Sequence, residues 1–118
     1  MAKILIVDDA VFMRMKTSKL LTEAGYDAVE ASNGAEAVDA YKRTKPDGVR
    51  LDITMPDMDG LTALKELRQV DPEARVTMLI AMGQQSIVLD ALKSGARDFI
   101  VKPFDSTRVL AAVQKMVG

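Results

Sequence analysis

Three acids and one lysine, drawn from distant parts of the chain, are the residues best suited to chemistry: the pair Asp8-Asp9, then Asp52, then Lys102. Brought within a few ångströms of one another, the carboxylates repel, each pair about 4 Å apart costing roughly 4 kcal/mol at an effective dielectric near 20. A divalent cation is the natural remedy. Magnesium prefers oxygen ligands, keeps several waters, and commonly bridges one or two carboxylates to a phosphate. A carboxylate is also a competent nucleophile toward phosphorus, giving an acyl phosphate. Lys102 then has a task as well, pairing with a phosphoryl oxygen while the metal screens the acids. Any one of these residues alone is ordinary, since a lone Asp at a strand end is usually a cap or turn residue and Lys-Pro a turn. Their combination is not.

The elements that must position them can be read from hydropathy. Short apolar runs at Ile4 to Val7, Val49 to Leu51, Val76 to Ile80 and Phe99 to Val101, with a weaker one at Asp27 to Ala31, have the length of buried strands. Helical spacing lies between them. Met13, Thr17, Leu20, Leu21 and Ala24 share one face, with Gly25 as a stop; Asn33-Gly34 opens a helix over Ala35 to Thr44. Leu61, Leu64 and Leu67 form a third, ended by Asp71-Pro72, and a fourth runs from about Gln85 to Ser94. The last carries Val109, Leu110, Val113, Met116 and Val117, with Asp105 and Ser106 as candidate caps. Five strands alternating with five helices predict an α/β fold, a parallel sheet covered on both faces. Ligands of such sheets gather at the carboxyl ends of the strands. Asp8-Asp9 follows the first strand, Asp52 closes the third, Ile80-Ala81 the fourth and Lys102-Pro103 the fifth, so all four candidates converge on one edge.

Composition narrows the chemistry further. The chain of 118 residues has the length of one domain, 1–118. It has no Cys and no His, which removes thiolate and imidazole ligands, disulfides, the usual triads and a histidine-borne phosphate. A net charge of −1 and only two Tyr and three Phe argue against a nucleic-acid partner. The opening apolar run is cut short by two acids, too short for a membrane span, so a cytoplasmic location is expected. The seven glycines are never closer than nine residues apart, so neither a dinucleotide turn nor a P-loop can be built.

The strings Ile-Leu-Ile-Val-Asp-Asp, Leu-Asp-Ile-Thr-Met-Pro-Asp-Met-Asp-Gly and Gly-Ala-Arg-Asp-Phe-Ile-Val-Lys-Pro-Phe, at these spacings, resemble receiver domains of two-component response regulators. Phe12-Met13-Arg14 and Ala81-Met82-Gly83-Gln84-Gln85 resemble more narrowly the chemotaxis regulators of Gram-positive and thermophilic bacteria. The resemblance implies a flavodoxin-like (βα)5 fold with strand order 2-1-3-4-5. It implies Asp52 as phosphoacceptor, Asp9 as direct Mg2+ ligand, Asp8 as an acid acting through a metal-bound water, and the Thr54 carbonyl as a further ligand. Lys102 matches the phosphate-binding lysine, with a cis bond to Pro103, and Phe99 the aromatic switch that moves inward on phosphorylation. A sensor histidine kinase would be the phosphate donor, and a flagellar switch protein or a phosphatase the target of a monomeric regulator that is no enzyme on outside substrates.

Two positions depart from that pattern. Counting from Asp52 and Lys102 puts Ile80 where the family carries a Ser or Thr whose hydroxyl bonds the phosphoryl group. A hydrogen bond to a charged group is worth about 1.5 to 3 kcal/mol, enough to lower the active population about tenfold. Thr77 lies too early on the strand to substitute. Arg50, two residues before Asp52, points to the same face of the strand. Its arm must reach solvent or meet a carboxylate; solvent or another acid is favoured over Asp52 itself. Ile80 and Arg50 together support an alternative, a switch-impaired or engineered receiver that binds partners regardless of phosphate. Of the methionines, Met13, Met78 and Met116 are expected to fill the core, while Met55, Met58 and Met82 fall in loops beside the acids. A magnesium phosphohydrolase on a similar sheet is disfavoured, because Thr54 stands where such enzymes need a second Asp.

Overall fold

The computed structural model describes residues 2–53, 59–81, 83–84, 86–102 and 104–117. Expectations for Thr54, Met55, Met58, Met82 and Pro103 lie outside the described residues. Elements alternate without exception: β1 (Lys3–Val7), α1 (Val11–Glu23), β2 (Asp27–Ala31), α2 (Gly34–Thr44), β3 (Gly48–Asp52), α3 (Gly60–Val70), β4 (Val76–Ile80), α4 (Ser86–Lys93), β5 (Asp98–Val101) and α5 (Ser106–Val117). The strands form one parallel sheet in the order β2-β1-β3-β4-β5, as the resemblance implied. Among the described residues no helix is long and apolar enough to cross a membrane.

The pleat sorts side chains between two helical layers. Leu5, Val7, Val49, Leu51, Val76, Met78 and Ile80 point to the side covered by α2, α3 and α4, where Ala37, Leu64, Leu67 and Ala91 complete the larger core. Ile4 and Ile6 point the other way and meet Leu21 of α1 and Val109, Val113 and Met116 of α5. β3 and β4 are buried along their whole length, while β2 is an edge strand with Asp27 and Glu30 in solvent. That edge position explains why its apolar run is the weakest of the five.

Local chemistry sets the helix ends. Asn33 caps α2 by accepting the Glu36 N–H at 2.9 Å, and Asp59 caps α3 through the Thr62 N–H at 2.8 Å. Of the two candidates before α5, Asp105 is the cap, accepting the Arg108 N–H at 3.0 Å, and Ser106 is the first helical residue. Strand order reverses at β1, which has β2 on one side and β3 on the other. The crevice at this switch point opens between the carboxyl ends of β1 and β3, where Asp8, Asp9 and Asp52 emerge.

Candidate functional site

Asp8 and Asp9 leave β1 in consecutive positions and diverge at once: Asp8 continues the inward parity of Ile4 and Ile6 and is buried, while Asp9 is exposed. Asp52 ends β3 and is 2% exposed. One carboxylate oxygen from each of Asp8, Asp9 and Asp52 lies within 4.8 Å of the others, so the convergence expected from the sequence is present. From the far side of the cluster Lys102 extends a half-exposed arm from the end of β5 and donates from Nζ to Asp52 Oδ2 at 3.4 Å. Its own backbone N–H is fixed by the Ile80 carbonyl at 2.8 Å.

Of the two favoured outcomes for Arg50, solvent or an acid other than Asp52, the second is the one found. Arg50 is 1% exposed, on the α1 and α5 side of β3, because Thr17 of α1 and the end of β1 close over it. The acid it meets is Asp8: Nη1 donates to Asp8 Oδ2 at 3.2 Å, and Nη2 to Thr17 Oγ1 at 3.4 Å. Its Nε has no partner among the described residues. Burial lowers the guanidinium's pKa, and the charges of Asp8 and Asp52 oppose that shift. The second oxygen of Asp8 is also engaged, Oδ1 accepting the Ala10 N–H at 2.9 Å.

Ile80 closes β4 with its side chain fully buried in the core under α2, α3 and α4, so it adds packing there and no hydroxyl. Thr77 lies early on the strand as expected and is also turned away, with Oγ1 against Met116 Sδ at 3.3 Å. Phe99 is half-buried, packs on the larger core, and borders a groove with Val101, Phe104, Asp105 and Arg108. Arg108 Nη2 reaches the Phe99 carbonyl at 2.7 Å and Asp98 Oδ2 at 3.5 Å. Met78 and Met116 fill core positions, and Met13 lies half-buried in a cleft with Phe104 and Val109.

Several supporting residues escaped the sequence reading. Arg14 Nη1 donates to the Asp8 carbonyl at 2.7 Å while its Nε pairs with Glu30 at 3.1 Å, tying α1 to the acid loop. Gln84 Oε1 accepts the Ala81 N–H at 2.8 Å and orders the β4 exit. Gly60 sits so close to the Asp52 carbonyl and the Ile53 Cα that a Cβ would collide with both, and its N–H donates to the Ile53 carbonyl at 2.8 Å. The available signal was the glycine itself, closing an Asp-rich stretch of sequence before a helix.

Hard oxygen donors from two strand ends, one of them open to solvent, fit a small divalent cation. The acids and Lys102 stand at the carboxyl edge of a five-stranded sheet in the order 2-1-3-4-5, and the chain matches the response regulator receiver domain over residues 4–114. It belongs to that family. Receiver domains are signalling modules rather than enzymes on outside substrates, and they bind Mg2+ at an acidic pocket. The chain is of the CheY type. It is 59% identical to the chemotaxis protein CheY of Bacillus subtilis over 117 residues, covering 98% of each chain. Against CheY of Thermotoga maritima it is 54% identical over 115 residues, covering 97% of this chain and 96% of the relative. Among solved structures, the CheX-CheY-BeF3-Mg2+ complex of Borrelia burgdorferi superposes with TM-score 0.91 at 43% identity, covering 97% of this chain and 87% of that one. Vibrio cholerae CheY4 does so with TM-score 0.93 at 30% identity, covering 98% of both.

Proposed function

We propose that this receiver takes a phosphoryl group onto Asp52 from a sensor histidine kinase, with Mg2+, and that the resulting change across α4, β5 and α5 governs binding to a flagellar switch protein or a phosphatase. The observation that carries this reading is the meeting of Asp8, Asp9 and Asp52 at one edge, with Lys102 Nζ 3.4 Å from the Asp52 carboxylate. In the transfer, an Asp52 oxygen bonds to phosphorus, the bond from phosphorus to the donor's leaving group breaks, and the leaving group departs with that electron pair. Lys102 holds a phosphoryl oxygen. Buried on its strand, Asp52 keeps its reactive oxygens aimed at the crevice. Asp9 and Asp52 would hold the metal directly, Asp8 through a bound water, and the Thr54 carbonyl would complete the protein's share. Bound there, magnesium supplies charge neutralisation between the acids and the incoming phosphate.

The Borrelia CheY caught with CheX, BeF3 and Mg2+ supports the phosphatase-type partner and the metal. In this reading the regulator works in the cytoplasm as a monomer, without a nucleic-acid or membrane partner. A second reading is favoured by one observation: Ile80 is buried and offers no hydroxyl to a phosphoryl group. In that reading the chain is a switch-impaired receiver, acting as a phosphate-independent binding module.

Intact mass after incubation with acetyl phosphate tests both. A phosphoryl adduct should form with Mg2+, fail without it, and vanish in Asp52→Asn. Labelling of Asp52→Asn at the parent's level contradicts the proposed acceptor. Ile80→Thr separates the readings: labelling confined to that variant favours the switch-impaired one.

A further inference from the structure

A buried guanidinium directly beneath a metal-binding acid cluster is out of place on electrostatic grounds. Arg50 and Asp52 share one strand and one face, two residues apart, and Asp8 lies across the switch point from both. The guanidinium is fastened at two points, to Asp8 Oδ2 at 3.2 Å and to Thr17 Oγ1 at 3.4 Å, and both ion-pair side chains are 2% exposed. It has no open route to solvent, and an arginine cannot shed its charge under ordinary conditions. Three carboxylates therefore face two fixed cations, Arg50 from below and Lys102 from the side. Each Asp8 oxygen already accepts one hydrogen bond, Oδ1 from the Ala10 N–H at 2.9 Å and Oδ2 from the guanidinium.

We propose that Arg50 is a resident cation of the acid cluster, which keeps Asp8 from ligating the metal directly and weakens the hold of Asp9 and Asp52 on Mg2+. This rests on the magnesium reading above and refines it. Part of the charge neutralisation that a divalent ion supplies is already built into the chain. The cluster is thereby preformed without metal, and the metal binds more weakly than it would without the guanidinium. A unit charge fixed within several ångströms of a divalent ion weakens its binding by about tenfold even at a water-like dielectric.

Carbon-detected NMR of the Asp carboxylates during a MgCl2 titration at constant ionic strength tests the proposal, on the parent and on Arg50→Met. In the parent the Asp9 and Asp52 carboxyl carbons should shift most with Mg2+, and Asp8 clearly less. In Arg50→Met all three should shift, with a Kd about tenfold lower. A parent in which Asp8 shifts as far as Asp9 and Asp52 overturns the proposal, as does an Arg50→Met that binds no tighter. Should Arg50→Met fail to fold, the parent's Asp8 resonance decides alone. If no carboxylate responds in either protein, the magnesium reading itself fails and takes this proposal with it.

Discussion

The two edges of the sheet use charge in opposite ways. At the amino edge, charged and polar groups satisfy the ends of helices and turns in contact with water. Lys3 Nζ reaches the Thr44 carbonyl at the end of α2 at 3.0 Å, Arg75 Nη1 the Met116 carbonyl in the last turn of α5 at 3.2 Å, and Tyr41 OH the Asp71 carboxylate after α3 at 2.7 Å. These are cations and donors where orphan carbonyls and helix dipoles call for them. At the carboxyl edge three acids crowd together, two of them buried, and a guanidinium is buried with them. A fold seeking only stability has no use for that arrangement, since well-packed apolar residues in place of a buried ion pair are often as good or better. The difference teaches that the amino edge is built for closure and the carboxyl edge for a cation and a phosphoryl group.

The contrast can be broken most forcefully at Asp8. Asp8→Ala strands the Arg50 guanidinium in the interior and should cost about 3 to 5 kcal/mol in urea unfolding without metal. A loss below about 1 kcal/mol would place Asp8 with ordinary surface acids. Gly60→Ala comes next. Its Cβ would press on the Asp52 carbonyl and the Ile53 Cα, so about 1 to 3 kcal/mol of stability should go, together with slower labelling by acetyl phosphate. Unchanged stability and labelling would show that the backbone at Asp52 and Ile53 yields freely.

At the amino edge Tyr41→Phe should have the smallest effect, a modest drop in Tm, and a distinctive pH dependence. Burial, reinforced by its bond to Asp71, raises the Tyr41 pKa, while the hydrogen bond from Tyr41 lowers that of Asp71. The raised phenol contributes below its unfolded pKa of about 10 and loses that contribution as pH rises through the folded value. The depressed carboxyl contributes above its unfolded pKa of about 4 and loses that contribution as pH falls through the folded value. The Tm difference between parent and Tyr41→Phe should therefore be widest between these limits and narrow beyond either. A difference independent of pH would mean that Tyr41 contributes by packing alone.

Much of this was legible in the sequence. Apolar run lengths located all five strands, and the limits of β2 and β4 were read without error, although β2 lies at the sheet's edge with two residues in solvent. The convergence of Asp8, Asp9, Asp52 and Lys102 followed from the alternating order, since each lies at a strand's carboxyl end. The partner of Arg50 was not legible. Strand parity gives the face, but the register that sets Arg50 opposite Ile6, two residues before Asp8, is fixed by long-range pairing. Gly60 was missed for a similar reason, as close backbone approach depends on how α3 docks against the end of β3.

The most direct test of a phosphoacceptor site at the carboxyl edge is reductive trapping of the labelled protein followed by peptide mapping. Reduction of an acyl phosphate leaves an alcohol at the modified aspartate. The account predicts that the alcohol appears at Asp52 after treatment with acetyl phosphate and Mg2+. An alcohol at Asp8 or Asp9, or none in a protein that has gained phosphate, would contradict it.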